Sequence, residues 1–240
     1  GMYEFGWGGG MEHQTFSAMS WGSMTSWSVI AHELGHQWFG DKVTFSTWNH
    51  LWLAEGFARY MEALAAELVP ALGQNPSTVR FNFKDAANNT YPTYSCYIPD
   101  ATIVNSTTLW NSAYGSTVYE RGAMVVSMLR TLLGDDKFFL ACRNYLSDPL
   151  LAYRSATTDD LRNHMQAVAG GYDLTAFFNS YVYGNGYPSY NTSIKWGNPG
   201  SNRINFKVTT QTKSTGSTVT YYHTPIALRV RGSLATEDTV

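Results

Sequence analysis

The sequence predicts a mainly helical α+β fold, with a small sheet near the start and strands at the end, and three observations carry that expectation. Apolar residues recur at helical spacing through most of the middle of the chain. Ahead of them, residues 3–10 interleave glycines with aromatics, as strand margins do where another backbone or a ligand approaches closely. Past Gly184-Asn185-Gly186-Tyr187-Pro188 the period changes from helical to two, through Ile194, Trp196, Ile204, Phe206 and Val208.

The composition is that of a globular chain. Of 240 residues, 44% are hydrophobic, 15% aromatic and 14% charged, enough for one domain with a sizeable core, or one and a fraction. A formal net charge of −2 supplies no basic field, which disfavours nucleic acid and anionic membranes as partners. No apolar run approaches the roughly 20 residues of a membrane span. Gly1 before Met2 reads as an expression scar, and the natural N-terminus is expected to be missing. Many Thr, Ser, Asn, Gly and Tyr with few Lys point to a secreted or periplasmic protein. Cys96 and Cys142 either pair or stay free, and their spacing fits no zinc ribbon or redox motif.

Taken in order, the first helix is expected from an N-cap at Ser26 to Gly40, burying Trp27, Ile30, Leu34 and Trp38 with His32 and His36 beside them. A second runs from Leu51 to about Val69, before Pro70. Asn75-Pro76 opens a third that continues to about Asn89. Residues 90–113 read as a long irregular connection. Helices follow over about 115–133, 135–147, 158–169 and 174–183, the third with a capping box of Thr157 and Asp160. Short strands close the chain, including residues 225–230.

The chemistry centres on His32-Glu33-Leu34-Gly35-His36, an H-E-x-x-H pattern. On a helix the two histidines leave one face a turn apart and grip one metal ion, while Glu33 reaches a water on that metal. Random occurrence in a chain of this composition has a probability of roughly 0.5%, so the bland reading, a surface helix with two histidines, is weak. A catalytic zinc wants a third protein ligand and an open position. Glu55, 18 residues after His36, is the candidate, although an isolated Glu there also reads as a first-turn charge.

His-Glu-Leu-Gly-His followed by Gln-Trp-Phe-Gly, then Leu-Trp-Leu-Ala-Glu-Gly-Phe-Ala, resembles the gluzincin aminopeptidases of the aminopeptidase N and leukotriene hydrolase family. The resemblance implies one zinc per chain held by His32, His36 and Glu55, with Glu33 as general base. Gly9-Gly10-Met11-Glu12-His13 looks like that family's G-x-M-E-N segment, implying that Gly9, Gly10 and Met11 lie along the substrate and that Glu12 binds its free α-amino group. Tyr119-Glu120-Arg121-Gly122-Ala123 resembles Y-E-K-G-A, which implies that Tyr119 stabilises the oxyanion.

The resemblance also implies a thermolysin-like zincin catalytic domain over residues 1–187, followed over 188–240 by the start of a β-sandwich. Further N- and C-terminal domains would belong to the parent chain, and peptides with a free N-terminus would be the substrates. His13, Ala54 and Arg121 depart from the family pattern and bear on substrate preference, since none removes a ligand. The competing readings are a zinc endopeptidase, an epoxide hydrolase-like relative, and a noncatalytic scaffold. Intact His32, Glu33, His36, Glu55 and Tyr119 weigh against the scaffold, and Glu12 favours free N-termini.

Overall fold

Three short strands open the fold: β1 (Met2–Phe5), β2 (Gly10–Met11) and β3 (Ser17–Ser20). They form one sheet in the order β1-β3-β2, with β3 parallel to β1 and antiparallel to β2, so that Gly10 lies opposite Met19. The sheet's inner residues are Ser17, Ala18 and Met19. The computed structural model describes all residues except 91, 104, 197–203, 224–229, 232–237 and 240.

Helix α1 (Trp27–His36) starts after Ser26 as expected but ends at His36 and not at Gly40, the chain turning tightly so that Phe39 bridges to Val43. Its burial reverses the sequence expectation. Ala31, Glu33, Gly35 and His36 are buried, whereas Leu34 is 53% and Trp38 46% exposed. The reason is the neighbour. Helix α2 (Trp52–Leu68) packs against the small residues of α1 so closely that a Cβ on Gly35 would lie 2.6 Å from Met61 Cγ. The face of α1 that carries its small side chains therefore faces inward, while of its apolar stripe Trp27 and Ile30 are half-buried and Leu34 is exposed.

Between them lies β4 (Val43–Phe45). After α2, Asn75 caps α3 (Pro76–Asp85) by accepting from the Ser77 and Thr78 amides, and a π turn carries the chain on over Ala86–Thr90. The connection expected to be irregular holds a six-residue helix, α4 (Ser106–Asn111), whose N-cap Asn105 accepts from the Thr108 amide. The long α5 (Ala113–Leu133) follows, then α6 (Asp135–Ser147). Strand β5 (Arg154–Ala156) pairs in parallel with β4, and the expected capping box opens α7 (Thr158–Val168). Helix α8 (Thr175–Phe178) runs into a second π turn, Asn179–Tyr183.

Helices α2 and α5 form the centre of the molecule, crossing where Gly56 meets Gly122. Trp52, Phe57, Tyr60, Val118, Val125 and Leu129 fill the core around that crossing. Strands β6 (Pro188–Trp196) and β7 (Ile204–Lys213) then pair as an antiparallel ladder, bulged at Asn191/Thr192, and β8 (Val230–Arg231) pairs with β9 (Asp238–Thr239). Of the strand expected over 225–230, all but Val230 lies outside the described residues.

The strands are stitched to the helices by Arg121. Its fully buried guanidinium donates to the carbonyls of Tyr181 (3.2 Å), Gly186 (3.1 Å) and Gly184 (3.3 Å), and Tyr222 beyond β7 joins the helical core. Cys96 and Cys142 are buried free thiols. Among the described residues no helix is long and apolar enough to cross a membrane.

Candidate active site

One turn of α1 separates His32 from His36, and the close crossing of α2 sets Glu55, in the first turn of that helix, opposite both. The two Nε2 atoms stand 3.1 Å apart, and each lies 3.3 Å from Glu55 Oε2. That triangle matches a tetrahedral cation, because ligands at 2.0–2.1 Å from such a centre stand about 3.3–3.4 Å apart. Glu55 Oε2 is moreover buried and, the two imidazoles apart, has no hydrogen-bond partner, a setting that a cation would satisfy. The other ring nitrogens are already engaged. His36 Nδ1 donates to the Phe39 carbonyl at 3.0 Å, and His32 Nδ1 faces Glu62 Oε1 at 3.4 Å, which leaves both Nε2 lone pairs pointing at the centre of the triangle.

The charges agree with the geometry. Burial works against the charged form of every member, yet the Glu55 carboxylate holds both imidazoles above their ordinary pKa, with Glu62 adding to His32, and the imidazoles hold Glu55 low. Positive charge is favoured at this point whether a proton or a metal ion supplies it.

Glu33 lies one residue from His32, 5% exposed, under the glycine strand. A Cβ on Gly10 would sit 2.3 Å from Glu33 Oε1, so only glycine lets β2 pass over this carboxylate. Burial raises the Glu33 pKa to about 7, against the pull of His32 and His36. One carboxylate oxygen each of Glu33 and Glu12 and one ring nitrogen of His36 lie within 4.8 Å of one another, which brings the Gly9–Glu12 segment to α1. From α5, Tyr119 stacks on His32 with ring centroids 5.7 Å apart. Burial, and then Glu55, push its phenol pKa well above the ordinary value, so the hydroxyl stays protonated and can donate.

A cavity of about 550 Å³ opens beside these groups, lined by Gly9, Gly10, Val29, His32, Glu33 and Tyr119 among others. Met11 is 43% exposed and does not line it.

Comparison with known proteins shows that residues 15–181 match the peptidase family M1 domain. This chain belongs to the M1 family. The M1 match covers His32, Glu33, His36, Glu55 and Tyr119 and begins after the Gly9–Glu12 segment. Aminopeptidase N of Canis lupus familiaris is 33% identical over 174 residues, 67% of this M1 chain and 17% of its own length. Endoplasmic reticulum aminopeptidase 2 of Homo sapiens is 36% identical over 138 residues, 55% of this chain and 13% of its own length. The M1 zinc metallopeptidase of Deinococcus radiodurans, solved as a mutant with a Tyr-Ser-Ala substrate, superposes with a TM-score of 0.58 at 25% identity, over 71% of this chain and 36% of that one. This M1 chain thus spans less than a fifth of the curated relatives and about a third of the solved one.

Three residues of the site escaped the sequence reading. Arg59 and Glu62 on α2 and Glu120 on α5 form an ion cluster beside His32 and line the same cavity. Glu62 follows Glu55 by seven residues, two helical turns, and that spacing alone puts both on one face.

Proposed function

We propose that the chain carries the catalytic core of a zinc-dependent aminopeptidase, with one zinc per chain held by His32, His36 and Glu55. The observation that carries this reading is the buried Glu55 Oε2 set 3.3 Å from two imidazole nitrogens that stand 3.1 Å apart. Zinc, when bound there, supplies Lewis acidity and lowers the pKa of water. Glu33, its pKa raised toward neutrality, takes the proton of the attacking water and passes it to the leaving amine. The Tyr119 hydroxyl donates to the oxyanion that develops on the scissile carbonyl. Glu12 binds the α-ammonium of the peptide as a charge-assisted pair, and the backbone of Gly9 and Gly10, which line the cavity as Met11 does not, runs beside the first residues of the substrate. The names of the dog and human relatives and the Tyr-Ser-Ala ligand of the Deinococcus radiodurans protein support peptides with free N-termini as the substrate class.

In this reading residues 1–187 form the catalytic domain, and the β6–β7 and β8–β9 pairs belong to the opening of a β-sandwich over 188–240. The parent protein acts outside the cytoplasm, as composition suggests, and fractionation of the native host tests that point. The function is tested by metal analysis together with hydrolysis of matched free and N-acetylated peptides by the full-length protein. Zinc near one equivalent, turnover of free peptides only, and loss of turnover with retained zinc in Glu33→Gln are expected. Equal hydrolysis of both peptide forms overturns the aminopeptidase assignment.

A further inference from the structure

Beside His32, on the wall of the same cavity, Arg59 ties α2 to α5, as Arg130 and Glu67 do further along the two helices. Arg59, one turn beyond Glu55 on α2, donates from Nη1 to Glu62 Oε2 at 2.5 Å and from Nη2 to Glu120 Oε1 at 2.9 Å. The other oxygen of Glu62 is the one that faces His32 Nδ1 at 3.4 Å. Glu120 follows Tyr119 directly on α5. The guanidinium lies over the buried Phe83 ring, 5.1 Å from its centroid, which holds its plane.

Stability does not explain this cluster. Two carboxylates share one guanidinium, and Arg59 Nε and Glu120 Oε2 are both shielded from water without a hydrogen-bond partner. Each such orphan is a cost to stability. Apolar side chains in place of a buried ion cluster are often neutral or stabilising. What the cluster does supply is geometry. With Oε2 of Glu62 taken by Arg59, only Oε1 is left for His32 Nδ1, and the fork's second arm fixes the turn of α5 that carries Tyr119. Removing the guanidinium leaves Glu62 and Glu120 as neighbouring, uncompensated carboxylates that repel each other, so both His32 and Tyr119 lose their support.

We propose that Arg59 is a positioning residue that holds the ligand His32 and the oxyanion donor Tyr119 in mutual register, acting through Glu62 on one and Glu120 on the other. The inference rests on the reading of His32, His36 and Glu55 as zinc ligands and adds what aligns them with Tyr119. It is tested on the full-length protein with Arg59→Met, Arg59→Lys and Glu120→Gln. The measurements are the zinc dissociation constant by competition with a chelator, the unfolding temperature of the zinc-free protein, and kcat and KM at full zinc occupancy.

Arg59→Met is expected to weaken zinc by about 10- to 100-fold, the range seen when support for a ligating histidine is lost. It should also lower kcat more than it raises KM, and the zinc-free protein should unfold at a lower temperature because Glu62 and Glu120 are left without their cation. Arg59→Lys offers a point charge in place of a planar fork and serves Glu62 on its own helix but not both carboxylates. Zinc affinity within about threefold of wild type, with a kcat loss like that of Glu120→Gln, is therefore expected of it. Unchanged zinc affinity in Arg59→Met overturns the link to His32, and wild-type kcat at full occupancy overturns the link to Tyr119. Should Arg59→Met fail to fold, wild-type kcat in both Arg59→Lys and Glu120→Gln overturns the proposal. Absence of zinc binding by the wild type overturns the metal reading itself, a failure separate from any of these.

Discussion

Gly56→Ala should damage this protein far more than one methyl group suggests. A Cβ at position 56 would lie 2.7 Å from Gly122 Cα, 2.9 Å from Gly122 C and 3.3 Å from the Val118 carbonyl oxygen. All three obstacles are backbone, so no rotamer change relieves them. Restoring an ordinary carbon contact of about 3.5 Å requires α2 and α5 to part by about 0.8 Å. Overpacking of this kind costs about 1–3 kcal/mol, and alanine returns about 1 kcal/mol through helix propensity, leaving a net loss of about 1–2 kcal/mol at the upper end of the overpacking range. For a chain of this size that is a fall of about 2–8 °C in Tm. The catalytic loss should be larger. Glu55 adjoins the substituted residue on α2, and Tyr119 lies one turn from the contact on α5, so the displacement reaches both, and misplacement by about 1 Å costs ~10²-fold in rate. Thermal unfolding and kcat/KM on an aminoacyl reporter measure the two effects. Gly22→Ala, which places its methyl in open space at an ordinary φ of −68°, serves as the control. A Gly56→Ala protein that unfolds at or above the wild-type temperature with wild-type kcat/KM would refute the argument from close approach.

Tyr119→Phe should keep its zinc and lose about 3 kcal/mol of transition-state stabilisation, ~10²-fold or more in kcat, and a wild-type rate would remove Tyr119 from the mechanism. Arg121→Met strips the donor from three buried carbonyls, at about 1 kcal/mol each, so equilibrium unfolding should show a loss of about 3 kcal/mol. A change too small to resolve would mean that the buried charge costs as much as its hydrogen bonds return. Burial pushes the Cys96 and Cys142 thiols up to about 12, so Ellman's reagent should label neither in the native protein and both on unfolding. Fast labelling before unfolding contradicts that placement.

What the sequence made legible was whatever local spacing encodes. His32 and His36 share a face because four residues make a turn, Asn75 and Thr157 announce helix starts through their side chains, and the change of period after Pro188 marks where β6 begins. Glu55 and Tyr119 came from motif resemblance, and the structure brings both to His32. What was not legible depends on partners distant in the chain. The apolar stripe of α1 was assigned inward because hydrophobicity says which face is greasy, not which face has a neighbour. That neighbour was chosen by Ala31 and Gly35, residues too small to register in a periodicity. Helix α4 hid among Ser, Thr and Asn residues that favour loops, with Asn105 its one signal. The Arg59 and Arg121 contacts join residues about 60 positions apart, beyond any window of local pattern.

The inverted burial of α1 bears on which part of the molecule lets go first. Most helices stay docked through apolar area, but the inward face of α1 offers Ala31, Gly35 and a set of ionisable groups, with Leu34 and Trp38 left in solvent. Helix α5, by contrast, is buried through Val118, Val125, Val126 and Leu129. Local opening free energies follow buried apolar contact, so amide hydrogens of α1 should exchange faster than those of α5, and a metal shared between α1 and α2 should slow them more than any others. The helix that holds the histidines is thereby fastened less by apolar area than α5, and a shared metal would be one of its main fastenings.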